Sequence, residues 1–320
     1  MQWSVWLTSM DNDHTIPVGT ENSKAYNKIS TEDPLFRSNE DENEGGALLR
    51  QKKAERSIIK TYRKELWSRF VKAIGDYSLI EDGDRIAVCI SGGKDSMLMG
   101  KLFQELYAHG KRNFELEFIV MNPGYSEPNY NMIIENASIL GIPIQLFESD
   151  IFEIADKADG SPCYLCARMR RGALYSEARR LGCNKIALGH HYDDVIETVL
   201  MGMLYGGQIQ TMMPKLKATN FPGMELIRPL YLIREEDIIR WRDFNELKFI
   251  RCACKVTEKR TSDEDGYESK RFEIKALIKK LKEDNPFVEA NIFKSMENVH
   301  TDTVISYKSK GVVHNFLEDY

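Results

Sequence analysis

The chain contains 320 residues, of which 42% are hydrophobic and 29% are charged, a balance typical of a globular protein with about two domains. Its apolar runs fall short of the roughly 20 residues that span a bilayer, and its first residues do not resemble an export signal. These features exclude the membrane and secreted classes, so we expect a cytoplasmic protein. The formal net charge is −5, and nine acidic against three basic residues give residues 1–47 a charge of −6. We expect this acidic tail to be disordered, with a total charge of +1 on the rest of the chain.

A basic segment follows the acidic tail. Apolar residues recur there at three- and four-residue spacing, which predicts one amphipathic helix over residues 48–76. The apolar positions are Ile59, Tyr62, Leu66, Phe70 and Ile74. Basic side chains, among them Lys60 and Arg63, occupy the other side of this helix. This pattern fits a solvated helix face and a phosphate-binding face equally well.

Short apolar segments alternate with helical patterns through residues 77–232. The apolar segments are typical of strands buried on both faces of a sheet, and they lie at 85–90, 116–121, 143–147 and 185–188. A helical pattern follows each of them, at 97–109, 130–140, 166–181 and 194–204. The alternation predicts an α/β fold with a doubly wound, mostly parallel sheet that binds ligands at the carboxyl ends of its strands. Residues 233–320 are predicted to be mainly helical, with helices at 235–247, 271–283 and 287–297.

The segment Ser91–Ser96, SGGKDS, lies where the first predicted strand meets the next helix. Backbone N–H groups converge at such a junction and bind oxyanions, assisted by the helix dipole. Gly92 and Gly93 allow positive φ and the close approach of a phosphate to the backbone, and Lys94 can add a cation. The spacing differs from both the G-x-x-x-x-G-K-[ST] and the G-x-G-x-x-G phosphate motifs. The alternative interpretation is a tight turn with a capping serine.

A second polar segment, GHHYDD, begins at Gly189 after the fourth predicted strand. Asp193 or Asp194 is a candidate N-cap of the next helix. Adjacent histidines and aspartates at the end of a strand suit nucleotide contacts, Mg²⁺ coordination or proton transfer. A histidine or aspartate at such a position is more commonly a cap or a buried hydrogen-bonded residue.

The six cysteines include two close pairs, Cys163/Cys166 and Cys252/Cys254. The first pair lies at a predicted helix start beside three arginines, an environment that lowers thiol pKa values and favours the thiolates that bind metal or sulfur. Zinc and an iron–sulfur cluster are equally compatible with the spacing. The remaining two, Cys89 and Cys183, lie in or beside predicted strands, where we expect them to be buried structural thiols.

Taken together, these motifs resemble a known enzyme family. SGGKDS is similar to the pyrophosphate-binding loop of the N-type ATP pyrophosphatases, the PP-loop superfamily. Four further segments resemble those of the tRNA 2-thiocytidine synthetases: the CxxC with RMRRGALY, then LGHHYDD, MLYGGQIQTMMPKL and FIRCAC. The resemblance covers roughly residues 50–307. This resemblance implies a PP-loop ATP-binding domain over residues 77–232. It also implies an enzyme that uses ATP, Mg²⁺ and a [4Fe–4S] cluster to replace the 2-oxo oxygen of anticodon-loop cytidine 32 with sulfur.

The resemblance also implies roles for individual residues. The cluster ligands would be Cys163, Cys166 and Cys254, with Cys252 as the alternate because this chain has C-x-C where the family has C-x-x-C. The implied nucleotide-binding residues are Ser91, Gly92, Gly93, Lys94, Asp95, Ser96, Met121, Gly189, His190 and Asp194. Asp95 would also bind Mg²⁺, and the implied catalytic residues are Asp95, Lys94, Asp194 and His191. The candidate tRNA-binding residues are Arg168, Arg170, Arg171, Lys60 and Arg63.

The implied partners are tRNA and a sulfur donor, either a cysteine desulfurase or another protein. The oligomeric state is left open, with a homodimer as one option. Three alternatives to the main hypothesis stand: a lysidine synthetase, a thiolase that acts on another tRNA base, and a zinc-stapled ATP-binding protein without thiolation activity.

Overall fold

The computed structural model describes residues 44–149, 151, 162–250 and 270–318. The chain divides into two units, Met1–Asp194 with Met212–Tyr267 and Val195–Thr211 with Glu268–Tyr320. Almost all of the predicted acidic tail lies outside the described residues. Its last residues were predicted wrongly, because the first helix already begins at Glu44. No helix in the described part of the chain is long and apolar enough to cross a membrane.

The first unit contains a six-stranded sheet in the order β3-β2-β1-β4-β6-β5. Its strands are β1 Arg85–Ile90, β2 Glu115–Asn122, β3 Ile144–Glu148, β4 Lys185–Ala187, β5 Lys215–Lys217 and β6 Glu225–Ile227. All neighbouring strands are parallel except β5, which runs antiparallel to β6 at the edge. The predicted α/β, mostly parallel sheet is therefore confirmed.

Helices cover both faces of this sheet. Those wholly in the first unit are α1 Glu44–Arg56, α2 Ser68–Asp76, α3 Lys94–His109, α4 Glu127–Leu140, α5 Pro162–Arg180 and α7 Glu235–Phe244. Alternate residues of β1 point to opposite sides: Ile86, Val88 and Ile90 join the core with α3 and α4, while Ala87 and Cys89 join the core under α5. This two-sided burial explains why the strand is apolar throughout.

The predicted single helix over 48–76 is interrupted. Two π-helical segments, Ser57–Thr61 and Arg63–Trp67, separate α1 from α2. A π turn takes more residues than an α turn, so it shifts the apolar face relative to the expected spacing. Ile58, which was not among the expected apolar positions, is consequently fully buried, together with the expected Leu66. Ile59 and Tyr62 are only partly buried, at the edge of the core.

The second unit contains most of helix α6 Tyr192–Gly206, which begins in the first unit, together with α8 Lys270–Asp284 and α9 Val288–Ser295. Within this unit the Tyr205 hydroxyl donates to Glu273 at 2.7 Å, and Arg271 lies 3.4 Å from the buried Glu197. A hairpin of β7 Ser306–Ser309 and β8 Val312–Asn315 follows α9, in a region that was expected to be mainly helical.

Candidate functional site

The strand order creates a crevice at the carboxyl ends of β1 and β4. From β1 the chain continues to β2 and β3 on one side, and then returns to place β4 on the other side of β1. In doubly wound sheets, ligands bind at this switch point. Ser91–Ser96 follows β1 and Gly189–Asp194 follows β4, so both polar segments lie there. A Cβ on Gly189 would lie only 3.1 Å from the Ser96 backbone nitrogen, which shows that the two segments are in direct contact.

Hydrogen bonds within the loop after β1 hold its shape. The Ser91 N–H donates to Ser96 Oγ at 3.0 Å, and the Ser96 hydroxyl donates to the Gly93 carbonyl at 3.0 Å. Helix α3 begins at Lys94, so Gly93 occupies the N-cap position. Glycine has no side chain that could cap the helix, so the first-turn N–H groups face the crevice ready for an anion.

The two glycines of this loop differ in conformation. Gly92 has φ +81°, and a Cβ on it would lie 2.5 Å from Cγ1 of Ile133. Gly93 has φ −81° and ψ 161°, and a Cβ there would meet nothing closer than Ser91 Oγ at 3.6 Å. Gly92 therefore uses the positive φ that a glycine allows. Gly93 does not, because the helix starts directly after Gly93 and requires an extended N-cap residue.

Charged side chains converge on the start of α3. Lys94 Nζ lies 3.2 Å from the Asp95 carboxylate and 3.0 Å from Glu235 Oε1. Burial works to lower the pKa of Lys94, but the carboxylates of Asp95 and Glu235 outweigh it and raise that pKa above its ordinary value. Burial raises the pKa of Asp95, and the opposing effects of Lys94 and His191 only partly offset this rise.

One oxygen of Asp95 is placed to bind a cation. Its Oδ1 atom is buried and accepts no hydrogen bond from the described part of the chain, although it lies 3.2 Å from the Lys94 ammonium. Carboxylate oxygens are preferred Mg²⁺ ligands, and Mg²⁺ is commonly held by one or two carboxylates together with substrate phosphates. The geometry at Asp95 therefore fits a metal that is completed by a bound nucleotide.

His191 and Asp194 form a reciprocal cap at the start of α6. The His191 N–H donates to Asp194 Oδ2 at 3.0 Å, and the Asp194 N–H lies 3.4 Å from Nδ1 of His191. His191 therefore occupies the N-cap position, rather than Asp193 or Asp194 as the sequence suggested. The other ring nitrogen of His191, Nε2, lies 3.9 Å from Asp95 Oδ1, while Nδ1 also lies 3.5 Å from Asp194 Oδ2.

Two residues of this region, Arg234 and Glu235, had not been predicted as functional. Arg234 donates to both carboxylate oxygens of Asp193, and the Glu235 N–H donates to Asp193 Oδ2 at 2.7 Å. This cluster attaches the start of α7 to the segment after β4. The adjacent charges in Arg-Glu-Glu would have been the only signal in the sequence, and such charge runs are common on solvated helices.

Other predicted nucleotide-binding residues lie near the same edge of the sheet. The Met121 side chain is buried in the apolar cluster under α5, at the carboxyl end of β2. His190 is half-buried between Gly189 and the start of α6. Contact of these two residues with a nucleotide stays a prediction.

The cysteines fall into two classes. Cys89 and Cys183 are buried, and burial raises the pKa of Cys89 strongly and that of Cys183 to about 12. Their thiols thus stay protonated at neutral pH, which makes them poor metal ligands. Cys163 and Cys166 lie on the first turns of α5, whereas Cys252 and Cys254 lie outside the described residues. Within the residues that the structure describes, no group of three His, Cys, Asp or Glu side chains is arranged to hold a metal.

The predicted tRNA-binding residues lie on opposite faces of the sheet. Lys60 and Arg63 are exposed on the π-helical segments, which pack with α3 and α4. Arg168, Arg170 and Arg171 are half-buried in the first half of α5, which packs on the other face. A helix between parallel strands runs antiparallel to them, so the start of α5 lies near the carboxyl edge. Arg168, Arg170 and Arg171, in the first half of α5, are therefore near the edge that carries the site.

Replacement of Asp95 by Asn is expected to raise stability and abolish turnover. The pKa of Asp95 in the folded protein is raised above the ordinary value of 3.8. The protonated carboxyl therefore stabilises the folded state fully below pH 3.8, and this stabilisation is lost as the pH rises through the folded-state pKa. At neutral pH the buried charge is unfavourable, and Asn removes it. We expect the melting temperature at pH 7.5 to rise by about 1–3 °C, a gain that vanishes near pH 4.

Differential scanning fluorimetry with and without MgATP checks this prediction. Asp95→Asn should also lose the stabilisation that MgATP confers on the unchanged protein. Asp193→Asn is the control, since it removes a charge from the ion pair with Arg234 and should lower the melting temperature. A lower melting temperature for Asp95→Asn at pH 7.5 would contradict the argument.

The sequence of this chain is similar to those of known proteins. Residues 60–257 match the family model of the PP-loop domain. A tRNA-cytidine(32) 2-sulfurtransferase from Pelobacter propionicus is 35% identical over 244 residues, which cover 75% of this chain and 88% of that protein. One from Syntrophotalea carbinolica is 38% identical over 233 residues, which cover 71% of this chain and 86% of that protein.

A solved structure shares the fold. The U34-tRNA thiolase of Methanococcus maripaludis, determined with its [4Fe–4S] cluster, matches 74% of this chain and 80% of its own chain with a TM-score of 0.56 and 22% identity. The family resemblance noted in the sequence is confirmed by the two sulfurtransferases and by the family model. Because these relatives are more than 30% identical over most of their length, the chain belongs to the PP-loop family and, within it, to the family of tRNA-cytidine(32) 2-sulfurtransferases.

Proposed function

We propose that this protein is an ATP-dependent tRNA sulfurtransferase that converts cytidine 32 of the anticodon loop to 2-thiocytidine. One observation carries the proposal: in a chain of this family, the phosphate-binding loop Ser91–Ser96 is in direct contact with Gly189 of the second motif, at the switch point of the sheet. This contact brings the oxyanion nest, the buried Asp95 carboxylate and the helix-capping His191 into one site.

The first step is adenylation of the cytidine. The N–H groups at the start of α3 bind the β- and γ-phosphates of ATP, and Lys94 balances their charge. The O2 atom of cytidine attacks the α-phosphorus, the bond between the α-phosphorus and its bridging oxygen breaks, and pyrophosphate leaves into the loop. Asp95 would hold Mg²⁺, which when bound supplies neutralisation of the phosphate charge.

The second step is replacement of oxygen by sulfur. Adenylation makes C2 electrophilic and turns O2 into part of a good leaving group. A sulfur nucleophile adds to C2, and the C2–O2 bond then breaks to release AMP, which carries the former cytidine oxygen. His191, with Nε2 facing Asp95, is placed to hold a proton at this edge of the site.

The sulfur chemistry would come from a [4Fe–4S] cluster held by Cys163, Cys166 and Cys254, or by Cys252 in place of Cys254. These three cysteines would be its protein ligands, and the cluster would supply the transfer of sulfur when bound. The raised pKa values of Cys89 and Cys183 argue against either of them as the third ligand. A cysteine desulfurase or another protein would supply the sulfur.

An anaerobic assay with purified protein tests the proposal. Unmodified tRNA, MgATP, sulfide and lysine are added, AMP is quantified, and the nucleosides are examined by mass spectrometry. We expect AMP and 2-thiocytidine in equal amounts, and neither product from the same tRNA carrying uridine at position 32. Lysidine, or a thiolated base other than cytidine, would replace this function by one of the alternatives.

Metal analysis of the same preparation distinguishes an iron–sulfur enzyme from the remaining alternative, a zinc-stapled protein. Iron and sulfide in about equal amounts, with broad visible absorbance, support the cluster. A colourless protein with one zinc per chain and no 2-thiocytidine would indicate a zinc-stapled ATP-binding protein.

We expect tRNA binding to depend on the exposed Lys60. Lys60→Glu should weaken tRNA affinity about threefold to tenfold and reduce the slope of log affinity against log salt by about one, as expected for loss of one phosphate contact. Lys111→Glu is the matched control, since Lys111 is also an exposed lysine but lies just before β2, at the opposite edge of the sheet from the site. Filter binding at several salt concentrations measures both variants. Equal effects of the two substitutions would remove Lys60 from the interface.

A further inference from the structure

The Lys94 ammonium has two carboxylate partners with different surroundings. Asp95 follows it in the same helix turn, and Glu235 reaches it from the start of α7. Lys94 and Glu235 are each 19% exposed in their side chains, so their 3.0 Å contact is only weakly screened by solvent. Sequence separation between Lys94 and Glu235 is 141 residues, so this ion pair exists only because the fold brings α7 to the loop.

The backbone of Glu235 is held in place by the segment after β4. Asp193 Oδ2 accepts the Glu235 N–H at 2.7 Å, and the Arg234 guanidinium pairs with the same carboxylate at 2.9 Å. The Tyr192 N–H donates to the Ile233 carbonyl at 2.9 Å, and the Arg234 guanidinium lies 5.1 Å from the centre of the Tyr192 ring. These contacts leave the Glu235 side chain little freedom in its approach to Lys94.

When nucleotide is bound, Asp95 and Glu235 differ in how well they can remain paired with Lys94. Asp95 has a buried oxygen that fits a metal, so a bound metal competes with Lys94 for this carboxylate. Glu235 lies on the side of Lys94 that faces α7, and its negative charge would be repelled by a phosphate chain in direct contact. Glu235 is thus suited to remain with Lys94 throughout the reaction.

We infer that Glu235 is a positioning residue that acts through Lys94, by holding its ammonium against the departing pyrophosphate. The inference rests on the proposed function, since it assigns Glu235 to the adenylation step. Negative charge on the leaving group grows as the bond to the α-phosphorus breaks. A preoriented ammonium stabilises that growing charge more than it stabilises bound ATP, whose phosphates already have the backbone N–H groups of the loop.

A double-mutant cycle on the full-length protein tests the inference. The variants are Glu235→Gln, Lys94→Gln and the combination, each assayed for tRNA-dependent AMP formation over a range of ATP concentrations. Glu235→Gln should lower kcat about tenfold and change the KM for ATP less than threefold. In the Lys94→Gln background the same substitution should have less than a twofold effect, because its partner is already absent.

Two further variants separate positioning from folding. Glu235→Asp keeps the charge on a shorter side chain and should recover part of the lost kcat. Glu236→Gln removes the same charge at the next, exposed residue and should leave kcat unchanged. Melting temperatures within about 2 °C of the unchanged protein show that α7 is intact.

The outcomes distinguish this inference from the proposed function. An unchanged kcat in Glu235→Gln, or an equal loss of kcat in both backgrounds, would overturn the inference while the unchanged protein still forms AMP and 2-thiocytidine. Failure of the unchanged protein itself to form AMP would instead overturn the proposed function.

Discussion

Gly92→Ala is expected to lower tRNA-dependent AMP formation by about 100-fold or more. Gly92 has φ +81°, a conformation that disfavours a side chain by about 1–3 kcal/mol. The added methyl group would also lie 2.5 Å from Cγ1 and 2.9 Å from Cδ1 of Ile133, so the loop or α4 must shift. A displacement of about 1 Å in a group that positions substrate is enough for a loss of this size. Quantification of AMP, together with the absorbance of the cluster, checks the result.

Gly83→Ala is the control for backbone strain. Gly83 has φ +86°, close to that of Gly92, but a Cβ there would meet no atom within 4 Å. It lies in the turn before β1, at the amino edge of the sheet and away from the site. This variant should lose some stability and keep its AMP formation. Cluster absorbance should be intact in both variants, and a normal rate of AMP formation in Gly92→Ala would show that Ser91–Ser96 is not the phosphate-binding loop.

Replacing any one of Cys163, Cys166 and Cys254 by Ala is expected to remove iron, visible absorbance and thiolation together. Cysteine thiolates are the ligands that hold such a cluster, so we expect the loss of one of three to release it. The thermal stabilisation by MgATP should persist, because the phosphate-binding loop is formed by a different part of the chain. Iron and sulfide analysis of anaerobically purified variants, with nucleoside mass spectrometry, measures these effects.

Cys89→Ala and Cys252→Ala are the matched controls. Cys89 is a buried thiol in the apolar cluster under α5, so its loss should reduce stability by about 1 kcal/mol without loss of iron. Cys252→Ala should remain partly active. Full iron in Cys254→Ala with loss in Cys252→Ala would exchange the roles of these two residues. Zinc in all variants and iron in none would overturn the cluster.

Local patterns predicted the part of the fold that surrounds the phosphate-binding loop. The four apolar segments that were interpreted as strands became β1 to β4, each within two residues of the predicted bounds. Buried parallel strands are apolar on both faces and helices in this fold have one apolar side, so each element is recognisable on its own. The alternation pattern did not include the two three-residue strands β5 and β6, because their few residues show no periodicity.

The interruption of the basic helix by π turns was not predictable from spacing alone. Ser57 Oγ donates to the Ala54 carbonyl and receives hydrogen bonds from Trp241 Nε1 and Asn245 Nδ2. These partners come from α7 and the turn after it, nearly 190 residues away in the chain. The irregularity thus accompanies tertiary contacts that no local pattern encodes.

The sequence by itself determined the strand–loop–helix unit around Ser91–Ser96, the second motif after β4 and the family to which these motifs belong. Such features depend on neighbouring residues, whose backbone preferences and side chains act over a few positions. Only the tertiary structure decided that His191 caps α6 and that Gly93 is extended. It also decided that Glu235 joins Lys94, held by Asp193 and Arg234. Those arrangements depend on the packing of α7 and on the contact between two loops from separate strands, and packing is a property of the whole sheet rather than of any segment.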